Sequence, residues 1–123
     1  MAMRLSDKEW QVLEVLWRAP EGLTLGQVVE ALRPATGWSR NTVLTYLTRM
    51  EAKALVVIHK ENAPHRYRAG VEREVCAAQE RRGLLERVYQ GSAGRLVAAF
   101  LKEEKLTPQE REELRRLLDD MEV

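Results

Sequence analysis

One cysteine among 123 residues excludes an internal disulfide, and with only two histidines beside it there is little from which to build a soft-metal site. Cys76, His59 and His65 lack the spacing of a zinc-binding or nucleophile–base set, and nothing adjacent is placed to activate the thiol. The glycines at 22, 26, 37, 70, 83, 91 and 94 form no phosphate loop. No apolar run approaches the roughly 20 residues of a membrane span. The opening Met1-Ala2-Met3-Arg4-Leu5-Ser6-Asp7 carries no apolar leader, so the expected setting is the cytoplasm, without membrane insertion. These absences argue against an enzyme: no catalytic residue, metal or cofactor is expected.

A hydrophobic fraction of 45% with 32% charged residues fits a helix-rich globular chain, long enough for one compact domain or two very small ones. The net charge of +1 conceals an asymmetry. Residues 1–70 carry a net +3 and residues 71–123 a net −2. Within 31–70, seven cations (Arg33, Arg40, Arg49, Lys53, Lys60, Arg66, Arg68) meet only Glu51 and Glu61, a net +5. A basic footprint on a balanced chain points to a polyanionic partner.

The positive charge gathers around Trp38–Lys53. Ser39 is a good N-cap, with Trp38 and Val43 spaced as a hydrophobic staple. Val43, Leu47, Met50 and Ala54 recur at helical spacing and predict a buried side. The opposite side carries Asn41, Thr42, Thr45, Thr48 and Arg49. A merely solvated face favours Glu, Lys and Gln, which form helix more readily than Thr or Asn. Short hydroxyl and amide side chains beside Arg suit phosphates and base edges instead. The stretch reads as a helix for the DNA major groove, the alternative being an amphipathic helix facing only water.

Ser6-Asp7-Lys8-Glu9 is a capping box, with Leu5 and Trp10 as its staple, and opens a helix expected to bury Trp10, Leu13, Leu16 and Trp17 before Pro20-Glu21-Gly22. Leu23-Thr24-Leu25 offers one short strand, and Thr24 with Gln27 a second capping box. Helix two, through Val28, Val29 and Leu32, is expected to stop before Pro34. The turn Pro34–Gly37 then joins it to the third helix as a helix-turn-helix. Leu55–Lys60 and His65–Ala69 are β-rich around the turn Glu61–Pro64. Tyr67 and Ala69 should face one way, Arg66 and Arg68 the other. Helix, strand, helix, helix, hairpin is the order of a winged helix-turn-helix domain.

From Glu72 the pattern is helical. Val71, Val75, Ala78, Leu85 and Tyr89 repeat, with Leu84 and Val88 beside them, until Gly91-Ser92 breaks the run. Ser92 caps a short helix with Leu96, Val97, Phe100 and Leu101. Thr107-Pro108-Gln109-Glu110 starts a last helix with Leu114, Leu117, Leu118 and Met121 along one side. Three helices in about fifty residues bury such stripes poorly by themselves. The expected architecture is mainly α: a winged helix-turn-helix DNA-binding domain over 1–71 and a three-helix dimerisation region over 72–123. Pairing with a second copy is the favoured solution, and folding back onto the first domain the alternative. Dimer contacts are assigned to Val75, Leu85, Val88, Tyr89, Leu96, Val97, Phe100, Leu101, Leu114, Leu117, Leu118 and Met121.

The order of motifs resembles that of the BlaI/MecI repressors. The resemblance covers nearly the whole chain. It rests on Leu5-Ser6-Asp7-Lys8-Glu9-Trp10 with Val15-Leu16-Trp17, on Gly37–Val43, on Arg49–Leu55, on Leu96–Leu101 and on Leu106–Leu114. It implies a homodimeric winged-helix repressor on a dyad operator, and in the β-lactam branch a membrane sensor-protease that leads to cutting of the C-terminal arm. By similarity the bond would be Ala99–Phe100. Two departures stand out. The copper-responsive branch carries paired cysteines near its C-terminus, where this chain has only Cys76. Family members often have Lys near the start of the third helix, where this chain has Arg40-Asn41. Base contacts are assigned to Asn41, Thr42, Thr45 and Thr48. Phosphate contacts are assigned to Ser39, Arg40, Tyr46, Arg49, Lys53, Lys60, Arg66 and Arg68. Rival classes are a repressor that senses a small molecule directly and a winged-helix module that binds protein.

Overall fold

The computed structural model describes residues 4–121, so Met1–Met3 of the opening segment and the last two residues lie outside it. Three helices, α1 (Asp7–Trp17), α2 (Leu25–Thr36) and α3 (Arg40–Ala52), precede an antiparallel hairpin of β1 (Val56–His59) and β2 (Arg66–Ala69). Helices α4 (Arg73–Tyr89), α5 (Ala93–Glu103) and α6 (Pro108–Asp120) follow. The capping boxes at Ser6/Glu9, Thr24/Gln27 and Thr107/Glu110 all form reciprocally, and Ser39 and Ser92 accept the amide three residues on. Each satisfies backbone donors that a helix start otherwise leaves open.

The first core joins α1, α2, α3 and the hairpin. Val12, Leu13, Leu16, Val28, Leu32, Val43, Leu47, Met50, Val56 and Tyr67 are buried in it. The hairpin pairs Val56 with Ala69 and Ile58 with Tyr67, so these side chains share its inner face, opposite Arg66 and Arg68. Leu23 does not start a strand of its own. It makes a single bridge to Tyr67, exchanging bonds of 2.9 and 2.7 Å, because Thr24 at once turns to cap α2.

Three local expectations are corrected. Trp10 and Trp17 are half-buried, and Val12 takes a fully buried place instead. The indoles meet edge to face at 5.4 Å on the rim of the core, where their N–H groups find acceptors in Glu14 and the Val71 carbonyl. Helix α2 runs through Pro34 and ends at Thr36. Its last turn is closed by the Thr36 hydroxyl on the Leu32 carbonyl (2.8 Å) and the amide of Gly37, in the left-handed conformation, on Arg33 (2.9 Å). Ala54 is exposed beyond the end of α3. The Leu55 amide bonds to the Met50 carbonyl and the Ala54 amide to Glu51, a Schellman closure that places Ala54 at φ 63°. Val75, assigned to the dimer contact, is exposed, while its neighbour Cys76 is buried in the first core.

The chain forms two compact units, residues 1–80 and 81–123. They divide inside α4, and the first turns of α4 belong to the first core. Cys76 is buried there, Val71 holds Trp17, and Arg73 lies over both indoles while paired with Glu14 at 3.0 Å. In the second unit, α5 and α6 have no buried residue. Leu85, Tyr89, Leu96, Ala99 and Leu114 are half-buried; Val88, Val97, Phe100, Leu101, Leu117, Leu118 and Met121 are exposed. Val97, Leu101, Leu106, Leu114, Leu117 and Leu118 line an apolar groove of about 400 Å³.

The Schellman turn generates a paired prediction. Ala54→Gly relieves the left-handed strain and should raise stability by about 1 kcal/mol. Gly70→Ala drives a Cβ to 2.8 Å from the Ala54 carbonyl oxygen, and should destabilise by about 1–3 kcal/mol. Urea midpoints at constant m-value measure both.

Candidate nucleic-acid interface

Helix α3 is sharply two-sided. Val43, Leu47 and Met50 are completely buried, whereas Arg40, Asn41, Leu44, Thr45, Thr48 and Arg49 are exposed. Thr42 is half-buried and shares a 3.1 Å hydroxyl–hydroxyl bond with Ser39, whose oxygen also accepts the Thr42 amide. The Thr45 hydroxyl donates to the Asn41 carbonyl at 2.9 Å. Of the residues assigned to bases, Asn41 and Thr48 have no side-chain hydrogen bond among the described residues, whereas both hydroxyls of Thr42 and Thr45 are engaged within the helix. Tyr46 is half-buried and stacks on Trp38, centroids 4.7 Å apart and planes 6° from parallel. Trp38 also packs against the core, so this aromatic slab braces the turn that leads into α3.

The cations assigned to phosphates fall into two groups. Arg40 and Arg49, at opposite ends of α3, form no side-chain hydrogen bond or ion pair among the described residues, and the Arg40 guanidinium lies near Gly26 in the first turn of α2. The others are already engaged. Lys53 Nζ is 2.7 Å from Glu9 Oε2, and Lys60 is 3.6 Å from Glu51. Arg66 donates to the Gly22 carbonyl at 3.2 Å, and Arg68 Nε donates to His59 Nε2 at 2.8 Å. A hydrogen bond to a carbonyl or a neutral ring leaves the charge available to a phosphate; an ion pair largely does not. His65 is exposed just before β2. Cys76 is buried, and that burial, then the nearby Glu80 carboxylate, pushes its thiol up, away from the reactive thiolate.

Glu9 is the buried charged side chain among the described residues of the first unit. Burial would raise its pKa. The Lys53 ammonium and the Ser6 amide and hydroxyl outweigh this and hold it below the ordinary value of 4.5. One carboxylate thus completes the cap of α1 and ties down the C-terminal end of α3.

A three-helix head with a hairpin wing, an outward third helix and arginines on both defines a winged helix-turn-helix DNA-binding protein. A profile of the penicillinase repressor family matches residues 5–120. The chain is 28% identical over 115 residues to the methicillin resistance regulatory protein MecI of Staphylococcus aureus, covering 94% of this chain and 93% of that one. It is 32% identical over 121 residues to the transcriptional regulator BlaI of Mycobacterium tuberculosis, covering 98% and 86%. The solution structure of monomeric Bacillus licheniformis BlaI in complex with the blaP half-operator matches with a TM-score of 0.52 at 26% identity, over 60% of this chain and 89% of that chain. The chain belongs to the penicillinase repressor (BlaI/MecI) family of winged-helix transcriptional repressors, which are regulators and not enzymes. No helix among the described residues is long and apolar enough to cross a membrane.

Because the folded state holds Glu9 ionised, its contribution to stability is complete above the ordinary carboxylate range and is lost as pH falls through the lowered value. Glu9→Gln should therefore flatten the acid limb of stability. Lys53→Met should move acid unfolding to higher pH, yet leave the salt dependence of DNA binding unchanged. A drop in that slope by about one would mean Lys53 meets a phosphate.

Proposed function

We propose that the chain acts in the cytoplasm as a homodimer, with its two third helices in successive major grooves of a dyad operator, about 34–36 Å apart. The observation that carries the reading is the one-sided burial of α3: Val43, Leu47 and Met50 are sealed in the core, while Asn41, Thr45 and Thr48 are exposed between Arg40 and Arg49. Asn41 and Thr48, with the methyl-bearing face of Thr45, read base edges, and Thr42 contributes through its methyl. Arg40, Arg49, Arg66 and Arg68 supply phosphate contacts, with Ser39 and the Tyr46 hydroxyl beside them and Lys60 in a lesser role.

The bare faces of α5 and α6 support the dimer. Leu117, Leu118 and Met121 are more than 60% exposed, and a small unit that leaves this much apolar surface open gains most by covering it with its symmetry mate. Val75, Leu85, Val88, Tyr89, Leu96, Val97, Phe100, Leu101 and Leu114 extend the same contact. A half-operator bound by a monomeric relative is consistent with one head per half-site. The resemblance further suggests relief of repression by a membrane sensor-protease, with Ala99–Phe100 as the bond cut. Phe100 is half-exposed, and the bond lies within α5, so cleavage requires that helix to open locally.

Binding to the DNA upstream of its own gene and to random DNA, each titrated with salt, tests the division of roles. Arg40→Ala and Arg49→Ala should each lower the salt slope by about one on both DNAs. Asn41→Ala should lose about 1–3 kcal/mol on the operator alone. Identical behaviour of Arg40→Ala and Asn41→Ala would overturn it. In sedimentation, the wild type should weigh twice 14.2 kDa and Leu117→Asp/Leu118→Asp should weigh that once; a monomeric wild type at micromolar concentration would remove the dimer.

A further inference from the structure

Sequence reading assigned only polar side chains on α3 to the bases. The structure adds an apolar one. Among the described residues of the first unit, Leu44 and Val75 are the large apolar side chains left exposed, and Leu44 stands at 38% exposure in the middle of the DNA-facing side of α3. A lone leucine on a surface is ordinary; the surroundings of this one are not. It lies three residues after Asn41 and four before Thr48, so the three share one row, with Thr45 beside them. It sits one turn from the N-cap, in the half of a recognition helix that comes closest to base edges. Its neighbour Thr45 has its hydroxyl hydrogen committed to the Asn41 carbonyl, so what Thr45 offers a ligand is chiefly its methyl group. Leu44 and Thr45 together make an apolar step, bordered by the Asn41 amide on one side and the Thr48 hydroxyl on the other.

In the major groove one base presents an apolar group, the 5-methyl of thymine. We propose that Leu44, with the methyl of Thr45, is a specificity-determining contact for one or two thymine methyl groups in each half-site, and that Asn41 reads the base pair beside them. The inference rests on the operator reading above. Water excluded between Leu44 and a thymine methyl favours that base; cytosine offers an amino group at the same edge, whose desolvation against Leu44 is unfavourable.

Uracil differs from thymine only by that methyl. The probe is the duplex upstream of the chain's own gene, trimmed by footprinting, with each thymine replaced in turn by uracil. Wild type should lose about three- to tenfold in affinity at one or two positions per half-site. Leu44→Ala should lose a similar factor on the all-thymine duplex and no longer distinguish thymine from uracil at those positions. Leu44→Met, which keeps the bulk, should retain the discrimination, and thermal melting confirms that each variant is folded. A Leu44→Ala profile matching that of wild type, or a wild type indifferent to every uracil, overturns the proposal while leaving the repressor reading intact. A wild type that binds no duplex from that region overturns both.

Discussion

The burial of one side of α3 is the constraint from which the remaining geometry follows. Val43, Leu47 and Met50 have no exposed surface, and the helices and hairpin around them are arranged to keep it so. A helix can seal one side only by presenting the other, and here the presented side is short, uncharged at its centre and flanked by arginines. Three devices fix its orientation. Ser39 caps its start, the Trp38–Tyr46 stack braces the preceding turn, and the Glu9–Lys53 pair ties its end to the cap of α1. Of these groups, only Ser39 and the Tyr46 hydroxyl also meet phosphate in the proposed complex. All of them limit how far the readout residues can wander.

Electrostatics divides the same surface differently from composition. Counted along the chain, seven cations between 31 and 70 look equivalent. Folded, Lys53 and Lys60 are matched by glutamates, Arg66 and Arg68 are steadied by a carbonyl and an imidazole nitrogen, and among the described residues Arg40 and Arg49 have no ion-pair partner. A cation held by a carbonyl or an imidazole nitrogen is positioned without being neutralised, which suits the phosphate contacts proposed for the wing. A cation held by a buried carboxylate serves the fold.

The two units solve the problem of small size in different ways. The first closes a core of helices and hairpin by itself and extends it into the first turns of α4 through Cys76 and Trp17. The second has strong helix starts but almost no interior: the Thr107/Glu110 box forms fully, yet Leu117 and Leu118 remain open. Capping and propensity are local and need no partner, whereas burial needs an opposing surface. In the proposed homodimer the second copy supplies that opposing surface.

Much of this was legible in the chain. The capping boxes, the two faces of the hairpin and the buried row of α3 depend on residues three or four apart, or alternate neighbours, and on backbone chemistry that acts over the same distance. Pro34 within α2, Ala54 in a left-handed turn, Cys76 in the first core and the half-exposed tryptophans were not legible, because each is settled by a distant group: a closing hydroxyl, a Schellman bond, a core vacancy, an indole seeking an acceptor. The same holds for the site. Asn41 and Thr48 are proposed from residue type and period, whereas Leu44 was assigned to neither face and its exposure emerges only from the fold. Sequence alone determined which segments are helix, where they begin and which partner the charge favours, since those are short-range preferences. Tertiary structure alone decided which cations stay free and which leucine faces outward, since burial and ion pairing depend on what the rest of the chain brings alongside.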